Sequence, residues 1–208
     1  MTPRRLRTAL LRLTAGSDRG AQLVEFALAL PLLIVFVVGI FDFSGAFTLK
    51  QKLTNLARDA ARAAAADPAS DVAQPSAAVP VSVSDAYQMM DNYLVANHIN
   101  DCGITPASAA LTMSPATWTY SANGNGCPGN GLVITINRTF YFPENGSAQS
   151  ANVSCSTTPV TGQIMVISTC VSIQYAYQWK FGRVASLLGS SVGLPNSINA
   201  TAVAVNEN

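Results

Sequence analysis

The sequence predicts an α+β fold in which a long N-terminal helix is packed by a small antiparallel β-sheet. Three observations lead to this prediction: an apolar run near the N-terminus, an alanine-rich stretch directly after it, and β-branched segments in the second half. With 208 residues, 49% of them hydrophobic and 11% charged, the chain can hold one globular domain with an appendage and is too apolar for a disordered protein.

The apolar run extends over residues 21–47 and contains only two ionisable side chains, Glu25 and Asp42. A helix of this length would extend ~40 Å, which exceeds the ~30 Å hydrocarbon core of a membrane. We therefore expect a transmembrane helix with both carboxylates near the membrane surfaces. Five arginines precede Gly20 and favour a cytoplasmic N-terminus. Four basic residues also follow the run, so this orientation depends on the basic leader, residues 1–20, being dominant.

The helix is predicted to continue as an amphipathic extension over residues 48–67. The segment LTNLARDAARAAAADP is alanine-rich and ends at Pro68, which disfavours helix at the residue before it. Its apolar residues share one helical stripe: Leu53, Leu56, Ala57, Ala60 and Ala64. We expect one helix from about residue 22 to 66, kinked at Pro31 because proline cannot donate to the carbonyl of Ala27. Residues 68–83, rich in proline and small residues, are predicted to form a linker.

Residues 84–208 are predicted to form an exported α+β domain. Ser84 is expected to cap a short helix, DAYQMMDNYLVANH, and the strands are expected in ATWTY, GLVITINRTFYF, QIMVISTCVSIQYAYQWKF and INATAVAVN. Tyr175, Tyr177 and Trp179 alternate along the third of these strands. We expect the three rings to fill the core between sheet and helix, and a recognition surface is the alternative.

All four cysteines, Cys102, Cys127, Cys155 and Cys170, follow the apolar run. An even number in a small exported domain predicts two disulfides, for which three pairings are possible. Pairing in sequence order would close short loops across turn-rich segments, and four buried thiols are the alternative. No pair has C-x-x-C spacing and His98 is the only histidine, so no metal site is expected.

Catalytic and ligand-binding patterns are weak in this sequence. GNGCPG, residues 124–129, satisfies G-x-G-x-x-G, but a strand is predicted where a nucleotide-binding helix would begin, so a turn is expected. Asp85, Asp91 and Asp101 fit no calcium-loop spacing and are expected to be solvated. Residues 63–208 carry three basic and seven acidic residues, which argues against a nucleic-acid partner. We therefore expect neither an enzyme nor a bound cofactor.

The stretch RGAQLVEFALALPLL, residues 19–33, contains the main functional signal. Cleavage by signal peptidase after the apolar run is not expected, because the run is too long for a secretory signal. Before the run, Gly20 is followed by Ala21 and, five residues after the glycine, by Glu25. This pattern resembles the cleavage site of type IV prepilins, in which a membrane peptidase cuts after the glycine and the glutamate becomes the fifth residue.

The wider segment is similar to the TadE-like family of tight-adherence pilus proteins over roughly 45 residues. Glu25-Phe26-Ala27, Pro31-Leu32-Leu33, Gly39, Phe43 and the alanine-rich and arginine-rich tail stand in family-like positions. The resemblance implies a pilin-like minor pilin or pseudopilin that assembles or caps an adhesive Flp/Tad pilus. It would be processed after Gly20 by a prepilin peptidase, with Glu25, Phe26 and Pro31 in the assembling helix.

The implied partners are the prepilin peptidase, other Tad pilins or pseudopilins and the inner-membrane assembly platform. The protein would reside in the bacterial inner membrane, with a periplasmic C-terminal domain, and could be incorporated in a pilus. The alternative is an unprocessed inner-membrane-anchored binding module or adhesin. Cleavage would leave an α-amine on Ala21, ~6 Å along the helix axis from Glu25. We expect this carboxylate to pair with a neighbouring subunit's amine, or, if it has only a local role, to cap the helix start.

Overall fold

The computed structural model describes residues 18–68, 70, 79–113, 116–143, 154–156, 162, 164–180 and 193–207. Its helices and strands are α1 (Asp18–Ala66), α2 (Val81–Ala96), a 3-10 turn (Pro106–Ser108), β1 (Ala109–Met113), β2 (Ala116–Ala122), β3 (Leu132–Pro143), β4 (Met165–Ala176) and β5 (Ser197–Val205). These elements confirm the predicted α+β class, with one long helix and an antiparallel sheet. Most of the predicted leader, residues 1–17, and residues 69 and 71–78 of the predicted linker lie outside the described residues.

The chain divides into two compact units. The first contains α1 up to Ser44 together with Trp179, Lys180 and Gly193, and the second contains Gly45–Gln178 and the described residues from Leu194 onward. The second unit holds the whole sheet, α2, the part of α1 after Ser44 and both disulfides.

The sheet has five strands in the order β1-β2-β3-β4-β5, and every neighbouring pair is antiparallel. Directly opposed residues of neighbouring strands form a row across the sheet, and the side chains of one row point to the same face. Two rows that lie two residues apart along β2 to β5, and therefore on the same face, are apolar. They are Trp118, Ile136, Val171 and Ala202, and Tyr120, Ile134, Ile173 and Ala200. The row between them is polar and lies on the opposite face: Thr119, Thr135, Ser172 and Thr201.

Within the second unit, the apolar face of the sheet packs against α2 and the later turns of α1. The ring of Tyr87 on α2 stacks on Tyr120 of β2, with centroids 4.5 Å apart. The predicted stripe of α1 is fully buried: Leu53, Leu56, Ala57, Ala60 and Ala64. At the end of α1, the backbone N–H of Glu207 donates to the carbonyl of Ala65 at 2.9 Å, which joins the helix to the residues after β5.

A β-bulge in β3 serves the end of α1. The register with β4 shifts between Asn137 and Phe140, so one extra residue enters β3. Beside this irregularity, the guanidinium of Arg138, 1% exposed, donates through Nη2 to the carbonyl of Asp67 at 2.9 Å. The last carbonyls of a helix have no intrahelical partner, so this bond satisfies one of the groups beyond Ala66.

The start of α2 differs from its prediction. The helix begins at Val81, with Pro80 at the cap position, and no side chain caps it. Ser84, the predicted cap, lies in the first turn, where its N–H donates to the carbonyl of Pro80 at 2.9 Å. The earlier start buries Val83 on the same face as Met90 and Leu94. Part of the predicted linker is therefore helical, and burial of Val83 outweighs the favourable capping side chain.

The end of β4 also differs from its prediction. The strand ends at Ala176, so Tyr177 and Trp179 do not continue the strand face on which Tyr175 is buried. Tyr177 makes one further backbone bond, donating to the carbonyl of Asn196 at 3.0 Å. Pro195, the residue directly before Asn196, has no N–H to donate, and the ladder stops there. Trp179 instead lies beside Phe43, with ring centroids 5.1 Å apart.

The two disulfides pair the cysteines in sequence order, which selects one of the three possible connectivities. Cys102 pairs with Cys127 and joins the segment after α2 to the turn between β2 and β3. Cys155 pairs with Cys170 of β4, and both pack against Phe140 in a fully buried cluster. Each bridge therefore fixes an irregular segment to the sheet.

Candidate functional site

The predicted cleavage position lies in the first turn of α1, which begins at Asp18 rather than near residue 22. A Cβ atom built on Gly20 meets nothing within 4 Å, so the space beside this residue is open. Since the first four N–H groups of a helix have no intrahelical acceptor, Gly20 and Ala21 are held by few backbone bonds. The peptide bond between Gly20 and Ala21 therefore lies in an exposed part of α1, where unwinding the helix breaks few backbone hydrogen bonds.

Glu25 lies one turn further along α1 and is exposed to the surroundings. Four residues separate it from Ala21, which corresponds to a rise of ~6 Å. Its immediate apolar neighbours are also exposed, Leu23 by 71% and Phe26 by 63%. The carboxylate is therefore presented outward, at the front of an apolar surface that the described residues do not cover.

This uncovered surface continues along the apolar part of α1. Only 6% of its most apolar window, with a mean hydropathy of 2.7, is buried within the protein. One helix in the described part of the chain, over Gly20–Ala66, is long and apolar enough to cross a membrane. Pro31 lies inside α1 without ending it and is exposed, so the kink expected there stays a prediction. An exposed apolar surface of this kind is suited to contact with lipid or with other apolar surfaces.

Asp42 differs from Glu25 in its burial, although the sequence predicts a position near a membrane surface for both carboxylates. It is only 6% exposed, and Gly39, three residues earlier on the same helical face, is also buried. The neighbouring ring of Phe43 contacts Trp179, so this part of α1 packs against residues distant in the sequence. The spacing of Gly39 and Asp42 was the available signal for a shared buried face. Of these two carboxylates, Glu25 is therefore outward and Asp42 is enclosed.

The structure also gives the positions of the weaker candidate sites that the sequence suggested. GNGCPG forms the disulfide-bonded turn before β3, in which Gly126 has a φ of +77°. His98 is exposed beyond the end of α2. Burial, with a contribution from Asp101, raises the pKa of the Asp91 carboxyl above its ordinary value, whereas Asp85 is exposed. Among the described ranges, no three His, Cys, Asp or Glu side chains group as metal ligands would.

Comparison with known proteins identifies α1 as the informative element. The family model described as TadE-like protein matches residues 20–62, from the predicted cleavage position to Arg62 on α1. Comparisons with curated proteins and with solved structures gave no match. The match confirms, over residues 20–62, the resemblance to the TadE-like family that Gly20, Glu25 and Pro31 predicted.

Proposed function

We propose that this protein is a minor pilin or pseudopilin of a Tad-type pilus, processed after Gly20 and assembled through α1. The observation that carries the proposal is the outward carboxylate of Glu25 at the front of an uncovered apolar helix. The TadE-like match over residues 20–62 supports it, since this family indicates a Tad pilus-associated protein. The proposed role is structural rather than catalytic, in assembling or capping an adhesive pilus.

The chemistry of assembly follows from the new N-terminus. Cleavage after Gly20 by a prepilin peptidase releases the α-amine of Ala21, and a carboxylate lies one turn away on the same helix. In a poorly solvated bundle, a neighbouring subunit's amine neutralises Glu25, whereas a helix displaced along its axis leaves both charges unpaired. The pair therefore sets the axial position of one subunit relative to the next. The proposed partners are the peptidase, other Tad pilins or pseudopilins and the inner-membrane assembly platform.

The proposed topology places the N-terminus in the cytoplasm and the sheet domain in the periplasm. This orientation brings Gly20 to the side of the membrane where the basic leader lies, and it places the four cysteines in an oxidising compartment. The two disulfides of the second unit are suited to that environment.

Processing is tested by mass spectrometry of the mature N-terminus. We expect the native protein to begin at Ala21 and Gly20→Val to retain the leader, because the peptidase has to accommodate this position. The open space at Gly20 means that valine does not disturb the packing of the chain. Gln22→Ala, an exposed change two residues away, is the matched control and should be cut normally. Native protein that retains Met1 would contradict the proposal and support an unprocessed membrane-anchored binding module or adhesin.

The role of Glu25 is tested separately from processing. Glu25→Gln should be processed, because the glycine is unchanged, but should be lost from the isolated pilus complex, because the amide cannot neutralise an amine. Glu25→Asp keeps the charge and should be incorporated. Normal incorporation of Glu25→Gln would show that the carboxylate does not set the register.

A further inference from the structure

A basic surface follows the apolar part of α1. Lys50, Thr54, Arg58 and Arg62 are spaced four residues apart and therefore lie along one side of the helix, which we name the basic stripe. The three charged members are exposed. Arg58 and Arg62 are exposed beside the buried stripe of the same turns, whereas the Lys50 side chain reaches back to β5 of its own domain.

The charges of the basic stripe are not compensated within the described part of the chain. Arg58 and Arg62 have no ion pair with any described residue, and they are like charges four residues apart. Like charges at this spacing destabilise a helix. The only acid close to them along α1 is Asp59, three residues before Arg62. Asp59 offsets part of this repulsion, and an acidic group bound beside Arg58 and Arg62 would offset more of it.

The first part of the basic stripe also borders an open cleft of about 420 Å³. All of its lining residues are polar or basic: Lys50, Gln51, Thr54, Asn55 and Arg58. The Thr54 hydroxyl donates a hydrogen bond to the carbonyl of Lys50 at 2.7 Å, one turn earlier on α1. The Lys50 ammonium donates to the carbonyl of Asn199. The exposed guanidinium of Arg58 and the exposed side-chain amides of Gln51 and Asn55 are the remaining donors on this surface. This donor set fits carboxylate and amide oxygens.

The length of the basic stripe favours a protein partner over a lipid surface. Lys50 and Arg62 are twelve residues apart, a rise of ~18 Å along the axis. The polar layer on one side of a bilayer is only ~5–8 Å thick, so it cannot contact the whole stripe of an upright helix.

An acidic surface of matching character occurs on α2. This helix contains Asp85 and Asp91 and no basic residue. Asp85, Gln88 and Asn92 are exposed and spaced by three and four residues, so they form one side of α2, which we name the acidic face. It offers one carboxylate and two amides to a basic partner. The stripe and the face are different surfaces, so one copy can use its stripe while its own α2 binds the next copy.

We propose that the basic stripe of one copy binds the acidic face of α2 on a second copy of this chain. The contact is heterologous, so it can join a second copy of this minor subunit head to tail. This inference rests on the proposed function: Glu25 sets the register of the apolar helices, and the stripe joins the exported domains. Charge complementarity between the two surfaces then selects the neighbour's orientation.

Photo-crosslinking of the full-length chain in cells tests the contact. A photoreactive amino acid replaces Gln51, which lines the cleft, and a second copy carries a different tag. We expect the crosslink to map to residues 81–96 of the second copy. Arg58→Glu with Arg62→Glu should lower its yield roughly tenfold or more, because like charges then face each other. Asp85→Arg in the second copy should restore it, whereas Lys52→Glu, outside the stripe, should leave it unchanged.

Several outcomes would overturn the inference. These are an unchanged yield after charge reversal, failure of the swapped pair to restore the crosslink while both disulfides are intact, and a crosslink to lipid, to another protein or to another surface of this chain. The N-terminus is sequenced in the same samples. A chain that begins at Ala21 without the crosslink to α2 overturns this contact alone, whereas retention of Met1 contradicts the proposed function.

Discussion

Removing the two disulfides one at a time should show whether loop closure or burial determines their contributions. The Cys102–Cys127 bridge spans 25 residues and Cys155–Cys170 spans 15. The chain-entropy relation gives ~3.5 kcal/mol for the first and ~3.0 kcal/mol for the second. Loop length alone therefore makes the first bridge more stabilising by about 0.5 kcal/mol.

Burial favours the opposite order. Cys155 and Cys170 are both completely buried against Phe140, whereas Cys102 is buried and Cys127 is half-exposed. Replacing a buried sulfur with alanine leaves a small cavity that costs about 1 kcal/mol. The double alanine variant at 155 and 170 should then lose ~5 kcal/mol of unfolding free energy, against ~4.5 kcal/mol for the variant at 102 and 127, in which only the Cys102 sulfur is buried.

Urea unfolding of the full chain in detergent, followed by tryptophan fluorescence, provides the comparison. Trp118 is 2% exposed in the apolar face of the sheet and reports on unfolding of the second unit. The midpoint of the variant at 155 and 170 should be the lower of the two. If the variant at 102 and 127 is less stable by 0.5 kcal/mol or more, the burial argument is wrong and loop entropy decides the order.

Three further changes test the packing of the sheet domain. Arg138→Gln removes the buried guanidinium that caps α1 and should cost ~1.5–3 kcal/mol of unfolding free energy in the same urea assay, and a loss below 0.5 kcal/mol would contradict the cap. Ala60→Leu should cost ~1–3 kcal/mol by overfilling a completely buried position, whereas Ala66→Leu, at an exposed position, should change little, and equal losses would reject the argument. Burial, with nearby Asp91 contributing at Tyr87, raises the pKa of Tyr87 and of Tyr120 to about 12. The stability gained from these neutral phenols should be complete below pH 10 and lost as the pH rises from 10 to 12, and titration of all tyrosines near pH 10 in the folded protein, followed by absorbance at 295 nm, would contradict it.

Periodicity made much of the fold predictable, and its failures have physical causes. The buried stripe of α1 was visible because leucine and alanine recur at helical spacing, and β2 to β5 were visible because β-branched residues dominate them. β1 was missed because AALTM has a single β-branched residue and is a strand through its pairing with β2. The end of β4 was misplaced because alternation continues through Tyr177, although the ladder depends on residues about twenty positions later.

The candidate site was predictable to the extent that it depends on the order of residues along one helix. Gly20, Ala21 and Glu25 are close in the sequence, so their axial separation follows from helical geometry alone. The burial of Asp42 was not predictable in this way, because it depends on packing against residues distant in the sequence. The basic stripe was partly visible, since Arg58 and Arg62 belong to the arginine-rich tail of the family-like segment, but the absence of an ion pair between them and any described residue required the structure.

The two parts of α1 differ in side-chain size, and this difference explains what each part packs against. In the second unit, the small side chains of Ala57, Ala60 and Ala64 are completely buried. The apolar part instead carries leucine, valine and phenylalanine, which remain exposed within the described chain. Each large side chain gains ~1.5–3 kcal/mol on burial, a gain that folding of the single chain leaves unrealised. Lipid before assembly and neighbouring helices after it can supply that burial, but neither apolar environment solvates Glu25. In the proposed assembly, a neutralising amine therefore matters most where the carboxylate of Glu25 leaves the membrane surface.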